Sequence, residues 1–164
     1  MADQDITKEI LNFLFDYKEG ELYWKFSLSC KSPKGTIAGS IKSDKYRRIG
    51  LNKKLYLAHR LIFMMHHGYL PKIVDHIDGN RLNNKIENLR AATQSQNSNN
   101  QKLSVKNTSG YKNVTWNTRK QKWCVNIRKQ SKDIHVGYFA DIELADLAAQ
   151  EARDKYHKEF ARNS

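Results

Sequence analysis

Asp75-His76 opens the densest concentration of chemistry in the chain: Val74-Asp75-His76-Ile77-Asp78-Gly79-Asn80, then Asn83-Asn84, Glu87-Asn88-Leu89 and Asn97. One imidazole, two aspartates and several asparagines stand between short apolar pieces. Such a set suits metal-assisted cleavage of a phosphodiester. Asp and Asn oxygens are the hard ligands a buried divalent cation takes, and an attacking water needs a base that titrates near neutrality. Asp75 and His76 are neighbours, so on an extended strand they point to opposite faces and meet at one site only at a strand end or twist. Asp78-Gly79-Asn80 reads as a tight turn, and Asn83 and Asn84 as loop residues that satisfy local backbone groups.

Taken in order, Asp75-His76, Asn88 and Asn97 resemble the HNH endonuclease motif, in the phage homing-endonuclease form with Asn at the third position. Leu57-Ala58-His59-Arg60-Leu61 extends the resemblance upstream. It implies a strand–loop–strand–helix unit folded around one divalent cation. It also implies that His76 is the general base for water and that Asn88 fixes the His76 ring by a hydrogen bond. Asp75 and Asn97 would hold Mg²⁺ or Mn²⁺, which polarises the phosphorus centre and stabilises the leaving 3′ oxygen. His59, His66 and His67 surround an apolar run, Leu61-Ile62-Phe63-Met64-Met65, that reads as a buried helix, so packing or capping is their expected role.

Composition agrees with a nucleic-acid partner. The 164 residues carry a formal net charge of +12, with a pI near 9.7, and such an excess attracts polyphosphate and speeds association with it. Only Cys30 and Cys124 are present, with no Cys-x-x-Cys pattern, so zinc is not expected and free thiols are. Met1-Ala2-Asp3-Gln4-Asp5 lacks a signal-peptide pattern, and no apolar stretch is long enough to span a bilayer. The expected setting is the cytoplasm, that of a host cell if the gene is phage-borne, with no secretion and no membrane partner.

The chemistry needs elements to position it, and three regions separate. Residues 1–73 hold an amino-terminal helix capped by Thr7, with Ile10, Leu11, Leu14 and Phe15 on one face. A hairpin turning at Gly20 follows, then a second hairpin around Asn52-Lys53, then a helix from Ala58 to His67. Residues 16–60 carry eleven Lys or Arg against four acids, interleaved with aromatics. Basic strands of that kind fit either a DNA backbone or a small solvated sheet, and Lys45, Arg47 and Arg48 are the candidate DNA contacts. Residues 74–101 form the motif unit, with a strand at 73–76, a second at 88–92, and a helix after Thr93 that carries Asn97. Residues 102–109 lose periodicity and read as a linker.

Residues 110–164 show three alternating strands, near 111–116, 122–128 and 134–139. An alanine-rich helix then opens at Asp141-Ile142-Glu143, with Leu144, Ala148 and Ala152 on one face. This order, with Val136-Gly137-Tyr138-Phe139 before the helix, resembles the Apetala-two/ethylene-response-factor DNA-binding domain. The resemblance implies that the sheet enters the major groove. Its candidate contacts are Lys112, Thr115 and Asn117 on the first strand, Arg119 in the turn, Asn126 and Arg128 on the second strand, and His135 on the third. Residues 110–139 carry seven Lys or Arg and one acid, whereas 140–164 carry four and six, so an acidic polymer should meet the sheet. Asn113 stands where the family has glycine, and Thr115, Asn117 and Asn126 replace charged contacts, so the family's base preferences do not transfer. Core packing is favoured for Trp116 and Trp123.

The expected class is α+β: a β-rich amino-terminal region, a ββα-metal unit, then a three-stranded antiparallel sheet packed on one helix. The expected function is a site-specific, homing-type endonuclease acting on double-stranded DNA. A monomer with one such unit has one active site, so a single-strand nick is the simplest product. A DNA-binding regulator with an inactive nuclease unit is the alternative, and an RNA-binding accessory protein fits the charge but not the Asp-His-Asn-Asn spacing.

Overall fold

The computed structural model describes residues 6–30, 32–129 and 132–163, and it forms two compact units, Met1–Ala92 and Thr93–Ser164. Met1-Ala2-Asp3-Gln4-Asp5 lies outside the described residues. Helices and small antiparallel sheets mix in a single α+β chain. Among the described residues no helix is long and apolar enough to cross a membrane.

In the first unit, Thr7 caps helix α1 (Lys8–Leu14), its hydroxyl accepting from the Ile10 amide. Strands β1 (Phe15–Lys18) and β2 (Glu21–Trp24) pair around Glu19 and Gly20. β3 (Ser40–Ile41), β4 (Arg47–Leu51) and β5 (Lys54–Leu57) make a three-stranded sheet. Asn52 and Lys53 take φ of 48° and 63°, the left-handed pair that a two-residue hairpin turn requires. Helix α2 (Ala58–His67) runs straight on from β5 and ends at Gly68, whose φ of 75° suits a residue without Cβ. Its inner face of Leu61, Ile62, Phe63 and Met65 joins Leu11, Phe15, Leu22, Trp24, Ile49 and Val74 in one core. Arg60 reaches from α2 to the carbonyls of Pro71 and Lys72, at 3.4 and 3.1 Å. That contact seats the start of β6 (Ile73–His76), which pairs with β7 (Leu89–Ala92).

In the second unit, α3 (Gln94–Asn99) precedes strands β8 (Val114–Asn117), β9 (Lys122–Lys129) and β10 (Lys132–Phe139), ordered β10-β9-β8. Helix α4 (Ile142–His157) starts at Asp141, whose carboxylate accepts from the Glu143 and Leu144 amides. Val114 and Val125 face Ala145 and Ala149 in its core.

Three elements differ from the sequence reading. The compact units divide between Ala92 and Thr93, so the two motif strands fall in the first unit and the motif helix in the second. β8 begins at Val114 because Asn113 sits at φ 68°, a left-handed bend that asparagine tolerates in place of glycine. On α4 the buried face is Ala145, Ala149 and Ala152, while Leu144 and Leu147 are 57% and 58% exposed. The helix lies close on the sheet, so methyl side chains fill the interface and the leucines point outward.

Candidate active site and nucleic-acid face

β6 ends at His76, and both Asp75 and His76 are buried there. Each is held from a different direction. Asp75 stands opposite Arg90 in the β6–β7 register. Its Oδ2 accepts from Arg90 Nε and from a terminal guanidinium nitrogen, both at 3.0 Å. These charge-assisted bonds anchor that carboxylate oxygen against β7. His76 Nε2–H donates to Asn84 Oδ1 at 3.0 Å, and Asn84 is 2% exposed. In the neutral ring with the proton on Nε2, Nδ1 is the basic nitrogen.

Asn88 does a different job from the expected one. Its side-chain amide donates to Asp78 Oδ1 at 2.9 Å and to the Asn83 carbonyl at 2.8 Å, and its oxygen accepts from the Asp78 amide at 3.0 Å. Asn88 therefore closes the loop between β6 and β7, and Asn84 supplies the bond to the His76 ring. The physical reason is reach. Asn88 pairs with the turn at Asp78, which also accepts from Asn83 Nδ2 and the Asn80 amide. Burial alone would raise the Asp78 pKa, but the bonds from Asn83, Asn80 and Asn88 and the nearby His76 outweigh it and lower it.

The amino-terminal hairpin braces Asn84. Gly20 has φ 88°, and a Cβ there would meet the Lys85 nitrogen at 2.8 Å and the Asn84 carbonyl carbon at 3.0 Å. Tyr17 Oη accepts from the Ile86 amide at 3.0 Å, and Lys85 pairs with Glu19 at 2.6 Å. The first hairpin thus sets the backbone that presents Asn84 to His76.

Behind His76 lies an aromatic wall. The His59 ring centroid is 4.8 Å from that of His76, and the Tyr46 ring is 5.4 Å from His59 and 6.2 Å from His76. The Arg81 guanidinium sits 4.9 Å over Tyr46 and donates to the Asp44 carbonyl. Burial first, then the neighbouring His76 and Arg60, push the His59 pKa down to about 3, so His59 is uncharged at neutral pH. In the sequence alone Asn84 reads as a loop residue and His59 as packing, and Tyr46 and Arg81 carry no mark of a place beside His76. The adjacency of Asn83 and Asn84 was the one visible signal for a side chain with a partner inside the loop.

Asn97 lies on α3 of the second unit, and its side chain has no hydrogen-bond partner among the described residues. The donor chemistry of Asp75 and Asn97, a carboxylate and an amide oxygen, fits a hard divalent cation.

The candidate DNA contacts divide. Thr115, Asn117, Asn126, Arg128 and His135 share the outer face of the second sheet, opposite the face that α4 covers. His135 Nδ1 lies 3.0 Å from Asn126 Oδ1, and Arg128 makes a loose 3.6 Å pair with Asp133 on the exposed surface. Arg119 is exposed in the β8–β9 turn. Lys112 departs from this face, since its ammonium donates to the carbonyls of Asn99 and Gln101 at 2.6 and 2.8 Å. In the first unit Lys45 is exposed, Arg48 is paired with Asp44, and Arg47 is bound to Glu21 at 2.8 Å with only 13% of its side chain exposed. Arg47 thus ties β4 to β2. Trp123 packs against the second core, and Trp116 meets it edge-on while staying 43% exposed.

The HNH endonuclease family model matches residues 56–99, the stretch that runs from β5 through α3. Protein 3.8 of Escherichia phage T7 is 33% identical over 117 residues, covering 67% of this chain and 94% of that protein. The HNH homing endonuclease I-HmuI, solved for its DNA binding and cleavage, is 40% identical with a TM-score of 0.38. That match covers 50% of this chain and 47% of the other, so the chain spans about half of I-HmuI. The chain carries an HNH endonuclease domain and belongs to one family with phage T7 protein 3.8.

Proposed function

We propose that the protein is a site-specific, homing-type DNA endonuclease that nicks duplex DNA with one divalent cation, Mg²⁺ or Mn²⁺, at Asp75 and Asn97. The observation that carries this reading is the buried His76, held through Nε2 by Asn84 beside an Asp75 carboxylate fixed by Arg90. When bound, the cation supplies Lewis acidity at the scissile phosphate and charge neutralisation at the leaving oxygen. His76 Nδ1 takes the proton from the attacking water, and Asn84 favours the tautomer in which Nδ1 is the basic nitrogen. Arg90 anchors one oxygen of the Asp75 carboxylate. His59 stays uncharged behind the base, and Arg81 offers a guanidinium for the substrate phosphates.

The outer face of the second sheet is the reader, as the Apetala-two/ethylene-response-factor resemblance implies. Arg128 has the fork for a guanine edge and Asn126 the amide for an adenine edge, with Thr115, Asn117, Arg119 and His135 around them. A tethered reader raises the effective concentration of the cutting unit at its site, where phosphate contacts alone give weak, salt-sensitive binding. A monomer then delivers one nick per encounter, in the cytoplasm of a phage-infected host. The test is conversion of supercoiled plasmid to open circles, run with Mg²⁺ or Mn²⁺ and with EDTA. Metal-dependent nicking is the expected result. Tight DNA binding with no cutting in any metal would move the assignment to a regulator with a silent nuclease unit.

A further inference from the structure

α3 has the sequence Gln94-Ser95-Gln96-Asn97-Ser98-Asn99, with no apolar residue and none buried. A helix under two turns long without an apolar face is held neither by propensity nor by hydrophobic burial. A cavity of about 290 Å³ lies between its Ser95, Gln96 and Asn99 side and Lys129, Tyr156 and Phe160, so lateral packing is also incomplete.

Polar ties hold its two ends. At the start, Thr93 Oγ1 accepts from the Gln96 amide at 3.3 Å, and Gln96 Oε1 accepts from the Thr93 amide at 2.8 Å. At the other end, the Lys112 ammonium donates to the Asn99 carbonyl at 2.6 Å and to the Gln101 carbonyl at 2.8 Å. A cation at helix-terminal carbonyls is the favourable sign for that end. Lys112 is itself fixed. Arg153 on α4, 1% exposed, donates to the Lys112 carbonyl at 2.6 Å and to Asn163 Oδ1 at 2.7 Å.

We propose that Lys112 is a positioning residue for Asn97: its ammonium clamps the end of α3, and Arg153 ties that clamp to the helix behind the basic sheet. The proposal rests on the reading of Asn97 as a cation ligand. It assigns to Lys112 a task that excludes direct DNA contact, and it makes the geometry of one ligand depend on the fold of the reader.

The test uses the full chain with Lys112→Met, Lys112→Arg and Asn97→Ala. Three readouts are taken: amide hydrogen exchange of residues 97–101 in metal-free protein, the Mn²⁺ concentration for half-maximal plasmid nicking, and affinity for duplex DNA. Lys112→Met should speed exchange at 97–101 by about tenfold, the loss expected for hydrogen bonds from a charged donor. It should raise the Mn²⁺ requirement by about tenfold. DNA affinity and the nicking rate at saturating Mn²⁺ should stay close to the parent's. Lys112→Arg, which keeps the cation and its donors, should stay near the parent in all three. Unchanged exchange or an unchanged Mn²⁺ requirement in Lys112→Met would overturn the clamp. So would equal loss in Lys112→Arg, or exchange that rises as much across β9 and α4. Asn97→Ala separates the two claims: parent-like cutting by that variant overturns the ligand reading itself. A dead Asn97→Ala beside an unaffected Lys112→Met overturns only the clamp.

Discussion

Acidification should weaken the first unit through His59, by an amount the structure sets. The ring is 5% exposed and its pKa falls from 6.5 to about 3, because burial penalises the imidazolium and His76 and Arg60 lie close by. The unfolded chain therefore binds a proton at His59 that the folded chain refuses. Stability is full above pH 6.5 and is lost progressively as pH falls from 6.5 toward 3. Between pH 7 and pH 5 the loss works out to about 2 kcal/mol. With a urea dependence of roughly 1–2 kcal/mol/M for a unit of this size, the midpoint should drop by about 1–2 M. Trp24 reports on the first unit alone once Trp116 and Trp123 are replaced by Phe, a background shared by both proteins under comparison. His59→Phe keeps a ring of similar shape against His76 and has nothing to titrate. The pH 7 to pH 5 loss should therefore be smaller in His59→Phe by about 2 kcal/mol. Equal losses in the two proteins would refute the reasoning and place the acid sensitivity elsewhere.

Gly20→Ala would put a methyl 2.8 Å from the Lys85 nitrogen at a left-handed φ. It should displace Asn84 and slow nicking by about tenfold or more, and Asn84→Leu should do the same directly, with plasmid binding retained in both. Parent-like rates in both variants would remove Asn84 from the site. Arg90→Met takes two donors from the buried Asp75 carboxylate, so urea unfolding should show a loss of about 3 kcal/mol; a loss under about 0.5 kcal/mol would make the pair a surface-like contact. Arg128→Ala on the outer sheet face should weaken specific DNA binding by about tenfold. Arg47→Ala should lower stability and leave DNA affinity alone, because its guanidinium is engaged with Glu21. The reverse pattern, measured by gel shift and urea unfolding, would exchange their roles.

Much of this architecture is legible in the chain because local signals and tertiary packing agree. Leu61-Ile62-Phe63-Met64-Met65 is too apolar to sit anywhere but against a core, and α2 runs over Ala58–His67 as read. Gly20, Asn52 and Lys53 occupy the left-handed turns that their hairpins require. The failures have a common origin. Which asparagine meets the His76 ring depends on where the first hairpin pushes the Asn84 backbone, a contact spanning more than sixty residues of chain. Which face of α4 is buried depends on how closely it approaches the sheet, and that favoured alanine over leucine. Lys112 and Arg47 look like DNA contacts in a list of basic residues. Only the fold shows that one caps α3 and the other pairs with Glu21.

The most direct test of the account compares His76→Ala with the parent on supercoiled plasmid in Mn²⁺, measuring nicking and binding in the same samples. Loss of metal-dependent nicking with DNA affinity near the parent's is the result predicted for a general base held by Asn84. Nicking at the parent rate, or equal loss of binding and cutting, would contradict it, for then His76 would be either dispensable or only a structural part of the fold.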